Sequence, residues 1–159
     1  MPGIQSWYNQ SLQVDPKNPD HVYLGLEEVF ESLDGGQTWR VPAPYWNFDF
    51  PCWSIDPTKQ TGDCPATTHV DRHAVAIGSY HGRSYVVVGN DGGTFRRPVD
   101  GTVDASGHAT DWTSLNDGTM DVLQYYSVAA GRDGKGVDVS GGMQDNGVSI
   151  LRPGDKVMG

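Results

Sequence analysis

"SYVVVGNDGGTFRRPVDG", residues 84–101, shows the pattern that sets the fold of this chain. A run of Tyr and Val ends in Gly89, and a break of Asn, Asp and Gly separates it from a second run that begins with Thr94 and Phe95. Aromatic and β-branched residues favour strands, whereas Gly, Asn and Asp favour the tight turns between them. The stretch therefore predicts two antiparallel strands. Because no segment of useful length has a helical apolar period, we expect an all-β fold.

The same order of short strands and turns occurs three times along the chain. The segments are 7–43, 69–116 and 124–153, and each contains strand-like runs separated by breaks rich in Gly, Asp or Asn. Repeats of four short antiparallel strands are typical of β-propeller blades. The first two repeats continue to a Trp-bearing fourth strand, in "QTW" and "TDW", which the third lacks. We therefore predict a single partial domain, 1–159, with about two full four-stranded blades and part of a third.

An incomplete propeller has surfaces that need a partner. A closed propeller has about four to eight blades, and neighbouring blades cover each other's faces. A shorter stack would expose sheet edges and apolar faces. We therefore expect this chain to be a segment of a longer propeller, or to complete itself by association with other blades.

The segment "SLDGGQTW", residues 32–39, follows the Asp-box pattern Ser-x-Asp-x-Gly-x-Thr-Trp. We expect the Asp34 carboxylate to accept backbone N–H bonds across a turn, and Gly36 to supply an unusual backbone angle. Trp39 is expected to pack back between sheets. The motif is typical of propeller blades, and its role there is structural. Its residues are Ser32, Asp34, Gly36, Thr38 and Trp39.

Several motifs in a fixed order resemble those of one known family. They are "VDPKNPDHVYLG", "SLDGGQTW", "HVDRHA", "GNDGG", "LQYYSVAA" and "GGMQDNG". This order resembles the BNR or Asp-box repeat propellers, which are often labelled glycosyl-hydrolase-like and are related in fold to xyloglucan-hydrolysing enzymes and sortilin-type ectodomains. The resemblance covers residues 7–152, with 44–66 as an inserted Cys-bearing loop. It implies either a glycoside hydrolase or a non-catalytic propeller, since the family includes both.

The charge of the chain excludes several classes of partner. Its 159 residues carry a formal net charge of −9 at pH 7, so the phosphates of nucleic acid would be repelled. No apolar run approaches the roughly 20 residues that span a bilayer, and no membrane insertion is expected. The N-terminus lacks the features of a signal peptide, so we expect any export signal to lie outside this chain.

Cys52 and Cys64 lie in a stretch rich in Pro, Asp, Thr and Gly, "PCWSIDPTKQTGDCP". Their spacing is not that of a CxxC metal site, so the pair predicts a disulfide across a long surface loop, with two reduced thiols as the alternative. A disulfide and an acidic composition rich in Trp and Gly fit a secreted protein in an extracellular or periplasmic setting.

Aromatic residues supply flat faces for sugar rings. Trp46 and Trp53, in the inserted loop, are the preferred candidates for exposed sugar platforms. The other aromatic candidates are Trp7, Tyr8, Tyr45, Tyr125 and Tyr126.

Three polar segments are predicted to lie at the same end of the blades. Residues 69–73 lead into the first strand of the second repeat, while 89–93 and 141–147 join the second and third strands of neighbouring repeats. In a four-stranded antiparallel blade these connections share one face, and loops on a rigid scaffold commonly bind ligands. The predicted binding residues are His69, Asp71, His73, Asn90, Gln144, Asn146, Trp46 and Trp53.

His69, Asp71 and His73 alternate along the chain, so in an extended segment their side chains point to one side. Two imidazoles and a carboxylate can bind a divalent metal, and no other cofactor is indicated. The alternative is that Asp71 accepts hydrogen bonds from the loop backbone while the two histidines pack between blades.

Asp91 and Asp145 occupy equivalent turns in neighbouring repeats and are the candidate catalytic residues. Two carboxylates about 5–5.5 Å apart would indicate a retaining glycosidase, and about 6.5–9.5 Å an inverting one. A residue that recurs in each blade is usually structural, so in the alternative these acids, with Asn90 and Asn146, bond to the loop backbone. We predict a non-catalytic segment that binds glycan or protein through these loops. The alternative is part of a xyloglucanase-like glycoside hydrolase.

Overall fold

A computed structural model describes residues 7–44, 50, 52, 54, 56–117, 125–144 and 147–156. In these residues eleven β-strands form three antiparallel sheets, and the only helix is a short 3-10 turn at Pro57–Lys59. No helix in this part of the chain is long and apolar enough to cross a membrane. The predicted all-β fold is confirmed. The chain divides into two compact units, Met1–Met120 with two sheets and Asp121–Gly159 with one.

The first sheet is a four-stranded meander that falls within the first predicted repeat. Its strands are β1 (Ser11–Asp15), β2 (Asn18–Gly25), β3 (Val29–Ser32) and β4 (Arg40–Ala43). Val22 and Tyr23 in β2 point to opposite faces, and both are buried. Neighbouring structure therefore covers both faces of this strand.

The second sheet has the same strand order and falls within the second predicted repeat. Its strands are β5 (Arg72–Tyr80), β6 (Arg83–Asn90), β7 (Gly93–Pro98) and β8 (Thr113–Ser114). Along β6, Val86 and Val88 are completely buried, whereas the alternating Tyr85 and Val87 are only half-buried. One face of this sheet therefore packs into the core, and the other face is partly exposed to solvent.

The apolar core of the first unit lies between its two sheets. Tyr23 and Val29 of the first sheet belong to one buried cluster with Val86 and Val88 of the second. Trp112, which precedes β8, completes the cluster, and its indole N–H donates a 3.1 Å hydrogen bond to the Pro42 carbonyl. The Trp of "TDW" thus ties the second sheet to the first.

A buried charged cluster also joins the two sheets. The Glu31 carboxylate on β3 lies 2.6 Å from His21 Nε2 and accepts a 2.7 Å hydrogen bond from Arg40 Nε. Arg97 Nη1, on β7, lies 3.5 Å from Oε2 of Glu31. Burial alone would raise the pKa of Glu31, but hydrogen bonds from His21 and Arg40 help to lower it to about 2. The sequence did not indicate this cluster, because strand pairing within the first sheet and the packing of the second sheet bring its members together.

The second unit holds a three-stranded antiparallel sheet. Its strands are β9 (Tyr125–Asp133), β10 (Gly136–Met143) and β11 (Gly147–Leu151), with β10 in the centre. Val128 and Ser149 both pair with Gly141 on β10 and therefore share one face of the sheet. Val148, the neighbour of Ser149, points to the other face. Val128 and Val148 are 62% and 68% exposed, so apolar side chains are exposed on both faces.

The loop that follows the first sheet contains a disulfide. It joins Cys52 to Cys64, whose Cα atoms are 5.0 Å apart. Within this loop the Asp56 carboxylate accepts a 3.1 Å hydrogen bond from the backbone N–H of Thr58 in the 3-10 turn. The disulfide and the turn therefore limit the conformations that this long loop can adopt.

Candidate functional site

Two of the predicted polar segments lie against each other at one end of the second sheet. Residues 69–71 lead directly into β5, and 91–92 form the turn between β6 and β7. Asn90 ties the segments together, because its Nδ2 donates to the His69 carbonyl and its Oδ1 accepts from the Gly92 N–H, both at 3.0 Å. A Cβ atom at Gly92 would overlap the His69 side chain, so this close approach requires glycine.

Asp71 points inward and anchors this segment to the first sheet. It is only 6% exposed, and its carboxylate accepts a 2.7 Å hydrogen bond from Asn9 Nδ2. The backbone N–H groups of Asp71 and Arg72 donate to the carbonyls of Glu27 and Leu26 at 3.1 and 2.8 Å. With φ at 61°, Asp71 adopts the left-handed conformation that non-glycine residues rarely take. Contacts with the first sheet hold it there.

This conformation separates the three predicted metal ligands. The prediction assumed an extended chain, whereas the left-handed Asp71 turns the chain between His69 and His73. Asp71 instead bonds to Asn9, and His73 pairs with Asp91. Across the described ranges, no group of three or more His, Cys, Asp or Glu side chains is arranged to hold a metal ion.

His73 and Asp91 form a hydrogen-bonded pair at the outer side of this cluster. His73 Nε2 and Asp91 Oδ1 are 2.6 Å apart. The His73 side chain is 39% exposed, whereas that of Asp91 is 8% exposed. A carboxylate partner orients an imidazole ring and selects its tautomer. Asp91 therefore lies on the buried side of His73 and orients an imidazole that remains open to solvent.

Two aromatic residues that precede β1 extend this pair. Tyr8 packs edge-on against His73, with ring centroids 5.5 Å apart and planes at 81°. Trp7 lies 5.7 Å from Tyr8, and the two residues are 77% and 59% exposed. We call Trp7, Tyr8, His73 and Asp91 the aromatic–acid row. Trp7 and Tyr8 were only general aromatic candidates in the sequence, because a contact with a residue so distant in the chain leaves no local pattern.

The side chain of Arg72, the first residue of β5, is a buried guanidinium. It is completely buried, and within the described residues none of its three guanidinium nitrogens has such a partner. Burial lowers the pKa of Arg72 to about 9, although the negative charges of Asp71 and Glu28 act to raise it. A buried cation that lacks a hydrogen-bonded anion destabilises a fold. The buried charge of Arg72 therefore lowers the stability of the first unit, next to the candidate site.

The Asp box joins β3 to β4 and bonds mainly to itself. Asp34 accepts hydrogen bonds from the Thr38 hydroxyl at 2.6 Å and from the Thr38 N–H and the Ser32 hydroxyl at 2.8 Å. These bonds, those from Thr38 above all, lower the pKa of Asp34 to about 2. Gly36 has a φ of 91°, which favours glycine. Trp39 does not pack between sheets: it is 40% exposed, and its indole N–H donates to the Gly36 carbonyl at 2.9 Å.

Some predicted residues fall elsewhere. Asp145, the partner predicted for Asp91 in a glycosidase pair, lies outside the described residues, as do Asn146, Trp46 and Trp53. Gln144 follows β10 in the second unit. The predicted site residues that the structure places together in the first unit are His69, Asp71, His73, Asn90 and Asp91.

Comparison of the chain with models of protein families, with curated proteins and with solved structures found no match. Inference about function therefore depends on the geometry of the aromatic–acid row and on the order of the sequence motifs.

Proposed function

We propose that this chain is a carbohydrate-binding, non-catalytic segment of a BNR-type β-propeller. The observation that carries the proposal is the aromatic–acid row, in which exposed Trp7 and Tyr8 continue into the hydrogen-bonded pair of His73 and Asp91. The three sheets are its blades, and the disulfide supports an extracellular or periplasmic setting.

The chemistry of the row suits a sugar ring. A pyranose has an apolar C–H face and a rim of hydroxyl groups, so it needs a flat apolar surface beside a few polar groups. Trp7 and Tyr8 supply large, rigid and exposed rings. The imidazole of His73, oriented by Asp91, supplies a polar group next to them for a sugar hydroxyl.

The exposed faces of the third sheet support the assignment of the sheets as blades. A blade within a propeller is covered on both faces by its neighbours. The exposed Val128 and Val148 lie on opposite faces of this sheet, and such apolar faces are expected where further blades pack. These blades belong to the rest of a longer propeller or to another copy of the chain.

The glycoside hydrolase alternative assigns Asp91 a different role. A glycosidase uses two carboxylates that flank the scissile bond, one as general acid and one as nucleophile or base. The 2.6 Å hydrogen bond to His73 occupies one oxygen of Asp91. This arrangement favours a role in orienting His73 for binding over an attack on the sugar.

Isothermal titration calorimetry with xyloglucan oligosaccharides and cellohexaose tests the proposal. We expect binding to the wild-type chain and no release of reducing sugar. Because a lost aromatic contact removes roughly 1.4 kcal/mol, Tyr8→Ala and Trp7→Ala should each weaken binding by about tenfold. Trp39→Ala is the matched control, since Trp39 is also exposed but lies in the Asp box.

Three outcomes would contradict the proposal. The first is the absence of binding to both sugars, which would leave protein as the ligand class for these loops. The second is an equal loss of affinity in Trp39→Ala, which would place the sugar elsewhere. The third is sugar release that disappears in Asp91→Asn, which would support the hydrolase alternative.

A further inference from the structure

The Arg72 guanidinium is the centre of a second candidate site, inside the first unit. It is completely buried, and within the described residues its Nε, Nη1 and Nη2 atoms all lack a hydrogen-bonding partner. An arginine carries N–H donors only, and a buried positive charge without a partner bears the full cost of its desolvation. Buried polar groups that the protein leaves unsatisfied commonly mark a bound water or ion.

The other arginines of the second sheet have different surroundings. Arg83 and Arg97 each bond to a carboxylate at 2.8 Å. Arg96 is half-buried and stacks on the Tyr85 ring, with its central carbon 4.9 Å from the ring centroid. Arg72 combines complete burial with the lack of a hydrogen-bonding partner among the described residues. Its charge is therefore the one that most needs an anion.

The Arg72 side chain lies between the two sheets of the first unit. Its backbone N–H donates a 2.8 Å hydrogen bond to the carbonyl of Leu26, which directly follows β2. Arg72 Cβ and Val75 Cγ2 each lie 3.0 Å from the position that a Cβ atom at Gly25 would occupy. The side chain therefore leaves β5 on the face that packs against the first sheet, away from any face that a further blade would cover.

The first sheet brings a second unpartnered donor to this place. Ser11 pairs with Gly25 across β1 and β2, and its Oγ lies 2.5 Å from the same position. This oxygen is buried and, within the described residues, also lacks a hydrogen-bonding partner. A side chain at Gly25 would overlap the hydroxyl, so glycine keeps this space open. A buried cation and a buried hydroxyl, each without a partner, thus lie where the two sheets meet.

Two carboxylates act on Arg72 without hydrogen-bonding to it. The charges of Asp71 and Glu28 favour the protonated guanidinium, and the Asp71 carboxylate accepts its hydrogen bond from Asn9 instead. Both carboxylates would repel an anion with two or three charges more strongly than one with a single charge. One guanidinium also needs one negative charge for compensation. These surroundings favour a small monovalent anion.

We propose that Arg72 binds chloride, or another small monovalent anion, between the first and second sheets. The guanidinium N–H groups and the Ser11 hydroxyl are its donors. The anion compensates the buried charge and connects β1 to β5. The proposal does not depend on sugar binding, and it is compatible with the assignment of the sheets as blades, because the anion occupies a contact between two sheets of the same unit.

Thermal unfolding of the full chain at constant ionic strength tests the proposal. Sodium chloride replaces sodium gluconate in steps, since the organic anion is too large for an enclosed site. All five tryptophans lie in residues 1–120, so their fluorescence follows the first unit. Chloride at about five times its dissociation constant should raise the wild-type midpoint by about 2–4 °C.

Variants separate a specific site from a general effect of salt. Arg72→Met should lose the chloride effect, and Ser11→Ala should show a smaller rise than the wild type. Without chloride Arg72→Met should be the more stable chain, and added chloride should narrow its advantage. Arg83→Gln is the matched control, because it removes the same charge from an exposed position and should keep the wild-type rise.

The NMR signal of the Arg72 Nε–H group gives a direct reading of the site. It should shift in a saturable way with chloride and stay in place with gluconate. The proposal is overturned if chloride changes neither this signal nor the wild-type midpoint, which is the result expected if water or a carboxylate elsewhere in the chain already satisfies Arg72. It is also overturned if Arg72→Met or Ser11→Ala keeps the full wild-type rise.

Discussion

Arg72 and Arg97 are both completely buried, but their guanidinium groups differ in their hydrogen-bonding partners. Arg97 bonds to Asp111 at 2.8 Å and lies 3.5 Å from Glu31, whereas within the described residues the Arg72 guanidinium has no hydrogen-bonding partner. Removing an unpaired buried charge relieves its desolvation cost, and removing one member of a buried pair leaves the other uncompensated. The two side chains are therefore expected to contribute to stability with opposite signs.

We expect Arg72→Met to raise the free energy of unfolding by about 1–4 kcal/mol and Arg97→Met to lower it by about 3–5 kcal/mol. Methionine is similar in length to the apolar part of arginine and lacks the charge. Urea denaturation of both variants beside the wild type measures the two changes. Equal destabilisation by the two substitutions would show that Arg72 has a stabilising partner.

The Asp box shows how a local motif can be predicted at the level of an element. Its bonds run between residues close in sequence, so the roles of Asp34 and Gly36 could be predicted from the pattern alone. Strands such as β1, which matches the "SLQVD" run, could be predicted from alternation and turn residues for the same reason. The exposure of Trp39 could not be predicted from the sequence, since it depends on which other segments pack around the turn.

The loop before β5 shows the limit of such prediction. The alternating pattern predicted that His69, Asp71 and His73 point to one side. Asp71 instead adopts a left-handed conformation, and its backbone N–H bonds to Glu27 in the turn between β2 and β3. The contact of Tyr8 with His73 likewise depends on how the first sheet packs on the second. Contacts between distant segments do not appear in a local pattern.

Two carboxylates in and beside the Asp box should make stability depend on pH. The pKa values of Glu31 and Asp34 are lowered to about 2, from ordinary values of 4.5 and 3.8. The unfolded chain therefore binds protons at these groups before the folded chain does. Their contribution to stability is complete above about pH 4.5 and is lost as the pH falls towards about 2.

We expect the urea midpoint of the wild type to fall steadily between about pH 5 and about pH 2.5. Asp34→Asn keeps one acceptor oxygen and cannot titrate, so its midpoint should fall less over the same range. Denaturation curves at several pH values provide the measurement. A wild-type midpoint that does not change with pH, or an identical fall in Asp34→Asn, would disagree with these pKa values.

At the scale of the whole molecule, the third sheet exposes apolar side chains. Its exposed valines lie on both faces, so we expect the chain to self-associate when no partner covers them. Light scattering coupled to size exclusion should show an apparent mass that rises with concentration. The double substitution Val128→Lys and Val148→Lys should reduce this rise, because charged side chains disfavour packing of the faces.

A wild-type chain that remains a folded monomer at all concentrations would contradict the proposal that further blades cover the third sheet. The same result for the wild type and the lysine double variant would show that association uses a different surface.

The measurement that tests the central claim most directly is an NMR titration of the labelled chain with a xyloglucan oligosaccharide. Signals from the Tyr8 ring and the His73 imidazole report on the aromatic–acid row, and those of Trp39 and Arg96 report on two separate surfaces. We predict that the oligosaccharide shifts the Tyr8 and His73 signals in a saturable way and leaves the other two in place. Tyr8 and His73 signals that remain unchanged at millimolar sugar would contradict a carbohydrate site at this row.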